Sequence, residues 1–84
     1  MGWFAFSYRI GDRPEEHELE EFPGAGDARR YAVQNLALML EDGEHHAGCV
    51  AVGAAAEADV HWLGVYEVEP EAHPSWRPAV ALLA

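Results

Sequence analysis

Eighty-four residues, half of them apolar and nine aromatic, are one domain's worth of chain and enough for a single core. Fifteen Asp and Glu stand against five Arg and no Lys, for a formal charge of −10, which repels nucleic-acid phosphate and anionic membrane surfaces alike. The lone Cys49 excludes an intrachain disulfide framework. No run is apolar enough for a membrane span and no secretory signal is legible, so the expectation is a cytoplasmic protein.

Trp3 to Ile10 alternates with period two, Phe4, Phe6, Tyr8 and Ile10 on one face and Trp3, Ala5, Ser7 and Arg9 on the other, which predicts a half-buried strand. Gly11-Asp12-Arg13-Pro14 is a turn. Glu15 to Phe22 then reads as a second strand whose charges suit a sheet edge. Pro23-Gly24-Ala25-Gly26 ends it, and Asp27 is the expected N-cap of a helix over Ala28–Asp42. Ala28, Ala32, Val33, Leu36, Met39 and Leu40 form its apolar stripe, opposite Arg30, Gln34 and Glu41, and Gly43 stops it. Its charges oppose the helix dipole, with Arg29 and Arg30 early and Glu41 and Asp42 late.

Gly48–Gly53 and Val60–Glu69 read as two further strands joined by a loop over 53–59. Val50, Val52, Val60, Trp62, Tyr66 and Val68 are expected to meet the helix, with Cys49, Ala51, His61, Leu63 and Val65 pointing away. Pro70 to Pro78 carries three prolines in nine residues and is expected to be irregular; the apolar end of the chain is expected to dock as a short strand or turn. The fold class is therefore α+β, a single domain of β-β-α-β-β order with one helix on one face of an antiparallel sheet. The other face, bearing Trp3, Ala5, Cys49, Ala51, Leu63 and Val65, is more apolar than a solvent face should be. A homodimer or partner interface, or the C-terminal tail, would cover it.

Chemistry-bearing clusters are sparse. His45, His46 and Cys49, with His61 opposite Cys49 if the hairpin centres near Ala55, resemble a loose metal set, but no CxxC or HxxxH anchors it. Ser7 and Ser75 are the only hydroxyl nucleophiles besides tyrosine, and neither sits in a nucleophile turn. The negative field suppresses a Cys49 thiolate. Gly24-Ala25-Gly26 lacks the lysine and spacing of a phosphate loop. The reading is non-enzymatic, with no cofactor and no metal.

The acidic residues form two blocks, Glu15, Glu16, Glu18, Glu20 and Glu21 beside Asp12, then Glu41, Asp42 and Glu44. Alternate carboxylates along a strand stand about 7 Å apart, a spacing comparable to that of DNA phosphates. Such a row fits a basic groove built for nucleic acid; the bland alternative is solubility. In size, charge and acidic run the chain resembles the small phage-encoded anti-CRISPR proteins, several of which block a DNA-binding surface by imitating DNA. That resemblance implies a cytoplasmic inhibitor whose partner is a protein with a basic surface, such as a CRISPR effector subunit, and not nucleic acid itself. A second likeness covers the first half: Phe22-Pro23-Gly24 followed by Ala28 to Leu36 resembles antitoxins of the HicB type, which implies a regulatory domain neutralising a bacterial enzyme.

Overall fold

The computed structural model describes residues 2–43, 45, 47–56, 59–68 and 75–78. Strands β1 (Gly2–Ile10) and β2 (Glu16–Phe22) precede helix α1 (Ala25–Asp42), and β3 (Gly48–Ala56), β4 (Asp59–Val68) and β5 (Ser75–Pro78) follow it. The five strands make one antiparallel sheet in the order β2-β1-β3-β4-β5. This is the α+β architecture expected from the alternation and the helical stripe, with a fifth strand where the proline-rich segment predicted none. Among the described residues, no helix is long and apolar enough to cross a membrane.

The first hairpin closes through a turn in which Arg13 N–H donates to the Ile10 carbonyl at 3.1 Å. Gly11 takes φ +56° there, a left-handed conformation open to glycine at little cost. The helix starts three residues earlier than the sequence suggested. Gly24 is its N-cap without any side-chain hydrogen bond, and Asp27 lies in the first turn, bonded to Arg30 at 3.2 Å. Its end is as expected, Gly43 N–H closing on the Met39 carbonyl.

Alternation on β1 and the 3.6-residue period of α1 bring two apolar surfaces together. Phe4, Phe6, Tyr8 and Ile10 meet Val50 and Val52 from β3 and Ala28, Ala32, Leu36 and Leu40 from the helix; all are buried. The two alanines keep that side of the helix low, so the backbone can lie close to the sheet. Phe22 and Tyr31 extend the core toward β2, with Tyr31 5.3 Å from the Phe6 ring and 5.1 Å from Phe22.

β4 departs from expectation. The β3–β4 register shifts between Val52 and Gly53, so Val52 opposes Gly64 but Gly53 opposes Trp62. One extra residue reverses the alternation beyond it. Leu63 therefore packs on the core, whereas Trp62 leaves it and stands 43 % exposed, its ring and Val60 lying over Gly53. Tyr66 and Val68, before the shift in the ladder, pack on the core as expected. On β5, Trp76 stacks 4.6 Å from Tyr66. Gly64 gives it room: an added Cβ would lie 2.5 Å from both the Arg77 carbonyl and the Trp76 ring. The early Arg29, which opposes the dipole, has a structural use, its guanidinium lying 4.1 Å from the centre of Trp76.

Candidate binding surface

Pairing with β1 sorts the first acidic block between two faces. Glu16, Glu18 and Glu20 oppose Tyr8, Phe6 and Phe4 and so lie on the helix side of the edge strand. Glu21 opposes Trp3 and lies on the open face, as does Glu15, which accepts hydrogen bonds from Ser7 and, at 3.0 Å, from Arg9. The Ser7 bond and then the Arg9 guanidinium hold the Glu15 carboxyl below its ordinary range. Glu15 is thus occupied internally, and the row on the helix side of the edge strand is Glu16, Glu18 and Glu20, with Arg13 3.7 Å from Glu16.

Within that row Glu18 is anchored. Tyr31 Oη donates to its carboxylate at 2.7 Å and Tyr8 Oη at 3.4 Å, while Asn35 Nδ2 donates to Tyr8 Oη at 2.9 Å. Burial, followed by the nearby Glu18, lifts the Tyr31 phenol well above its usual range. Burial pushes Tyr8 up to about 12, the Asn35 bond opposing the shift only in part. Tyr31 and Asn35 are one helical turn apart and flank the apolar stripe on its β2 side. That i, i+4 placement was a signal in the sequence, but which strand the pair would face was not. Glu16 and Glu20 remain exposed on either side. A cavity of about 300 Å³, lined by Tyr8, Glu16, His17, Glu18, Asn35 and Met39, opens beside the row.

The second block joins the first at one end of the molecule. His45 N–H donates to the Leu40 carbonyl at 2.9 Å. Its ring sits between the turn after β1 and the helix C-terminus; a Cβ added at Gly11 or Gly43 would come within 3.0 or 2.6 Å of it. Asp12 and Asp42, the sequence neighbours of those glycines, are exposed, as is Glu41. Glu44 and His46 lie outside the described residues. Through His45 the turn that carries Asp12 and the helix end that carries Glu41 and Asp42 thus come together.

The register separates His61 from Cys49. Cys49 opposes Glu67, and His61 opposes Ala54, so the hairpin does not centre near Ala55. Among the described residues, no group of three His, Cys, Asp or Glu stands close enough to hold a metal ion. Burial first and Glu67 second push the Cys49 thiol up, which disfavours the nucleophilic thiolate.

No protein-family model, curated protein or solved structure matches this chain.

Proposed function

We propose that this protein is a non-enzymatic binding module that inhibits a partner by occupying its basic, nucleic-acid-recognising surface, in the manner of a phage-encoded anti-CRISPR acting in the host cytoplasm. The observation that carries this reading is the placement of Glu16, Glu18 and Glu20 on one side of an edge strand. Their spacing of about 7 Å follows from the strand rise. Tyr31 holds the central carboxylate in place, so less conformational freedom is lost on binding than for three free side chains. Glu41 and Asp42 add charge at the helix end that meets the β1–β2 turn through His45. Cationic grooves meet such a surface with favourable long-range attraction, and the encounter weakens as salt screens it.

The test is competition against DNA on a purified DNA-binding CRISPR effector complex, followed by mobility shift across a salt titration. The parent protein is expected to displace DNA, less effectively as salt rises. Glu16→Lys combined with Glu20→Lys should abolish displacement while leaving thermal unfolding near that of the parent, because both side chains are exposed. Glu18→Lys must be kept apart from this pair, since it also strips two tyrosines of their acceptor. Equal competition by the parent and the double variant would show that the carboxylates serve solubility alone.

A further inference from the structure

The open face of the sheet has a pattern that the carboxylate row does not explain. Trp3, Leu19 and Trp62 stand 50 %, 56 % and 43 % exposed on it. Register puts Leu19, Ala5, Gly53 and Trp62 in one row across four strands. Charges on this face are matched. Arg9 bonds Glu15 at 3.0 Å and Arg77 bonds Glu67, so Glu21 at the edge is the one carboxylate here with no cation paired to it among the described residues. A chain of charge −10 thus has one broad surface close to neutral.

The pattern is also antisymmetric about β3, the central strand. Along β3 this face shows only Cys49, Ala51, Gly53 and Ala55. In one row Arg9 stands on the β1 side of Cys49 and Glu67 on the β4 side. In the next, Glu15 lies bonded to Ser7 on one side and Arg77 lies opposite Val65 on the other.

We infer that a second copy of this chain packs on this face, sheet against sheet, about a two-fold axis running along β3. That rotation lays β1 over β4 and β2 over β5. Arg9 of one copy then faces Glu67 of the other, and Glu15 faces Arg77. Trp62, which leans over Gly53 at the axis, meets Trp62 of the other copy. The small side chains of β3 let the two sheets approach to the usual separation of about 10 Å. The molecule measures 35 × 29 × 22 Å, so its broad face offers roughly 1,000 Å², against about 800 Å² per partner in a stable complex. A basic partner has no comparable reason to choose this face, since its cations gain nothing from carboxylates already paired.

Sedimentation velocity over a concentration series is the first measurement. It is expected to show a dimer that tightens with added salt, because two like-charged chains repel over the screening length; the partner binding proposed above weakens with salt instead. Trp62→Glu should weaken the dimer by roughly 30-fold or more. Ala51→Glu should do the same by placing like charges on the axis, at a position that faces an open cavity and leaves the core untouched. Circular dichroism checks that each variant is folded. A short bis-maleimide should join Cys49 to Cys49 of the second copy, because both lie near the axis. A monomer at every concentration overturns the inference, as does a dimer indifferent to both substitutions. A dimer without the Cys49 cross-link overturns the two-fold along β3.

Discussion

Tyr8 makes stability depend on alkaline pH in a direction that its environment fixes. The side chain is 3 % exposed and its phenol is pushed up to about 12 from an ordinary value of 10.0, burial being the main cause. Below pH 10 the phenol is protonated folded or unfolded, and its full contribution is present. Between pH 10 and about 12 the unfolded phenol ionises while the folded one holds its proton, so stability falls as pH rises. At about 1.4 kcal/mol per pH unit the loss approaches about 3 kcal/mol by the time the folded phenol itself ionises. Tyr31, also raised, adds to the same slope. Urea unfolding at closely spaced pH values from neutral to strongly alkaline reads the slope directly, and Tyr8→Phe isolates the share of one residue. The variant should lose stability more gradually above pH 10 than the parent. If parent and Tyr8→Phe show the same alkaline slope, the burial and hydrogen bonding assigned to Tyr8 are wrong.

Three further outcomes follow from the packing. Leu36→Ala, at a fully buried helix position, should cost about 2–5 kcal/mol in urea unfolding, because it leaves a cavity between α1 and the sheet. Gly64→Ala would place a methyl 2.5 Å from the Trp76 ring and the Arg77 carbonyl; it should cost about 1–3 kcal/mol, and hydrogen exchange should report the loosening at β5. Glu41→Lys with Asp42→Lys should stabilise the helix by about 0.3–1 kcal/mol per charge at low salt, read as a raised midpoint of thermal unfolding. A lowered midpoint would mean these carboxylates have folded-state partners.

Much of the fold was legible because β1 and α1 each obey one period throughout. Alternation in Phe4, Phe6, Tyr8 and Ile10 can be buried only as a strand, and Ala28, Ala32, Leu36 and Leu40 only as a helix face. The edge position of β2 was legible from its charge. The inversion at Trp62 and Leu63 was not, because a bulge is set by how two strands meet and leaves no mark in either alone. β5 was hidden among prolines, and its short ladder is held by the stacking of Trp76 on Tyr66 and Arg29, residues about ten and nearly fifty positions away. In the candidate surface the carboxylate row was visible. Its split between faces and the anchoring of Glu18 were not, since Tyr31 is thirteen residues distant and meets Glu18 only after the helix folds back.

The strand order has a bearing on how the chain reaches this state. β1–β2, β3–β4 and β4–β5 are neighbours in sequence, whereas β1 and β3 pair residues 38 to 50 positions apart, from Ile10↔Gly48 to Phe4↔Ala54. All other ladders close over short loops, so the entropic barrier to folding is concentrated in this one seam. The seam divides the protein at residues 43–47 into two contiguous pieces, a hairpin with its helix and a three-strand meander. Neither can bury its own apolar face: Phe6 and Tyr8 wait on Val50 and Val52 of the second piece. On the ribosome the first half is therefore made without its lid: the heavily acidic β2 guards the outer edge, while the edge of β1 that will take β3 waits open for the second half.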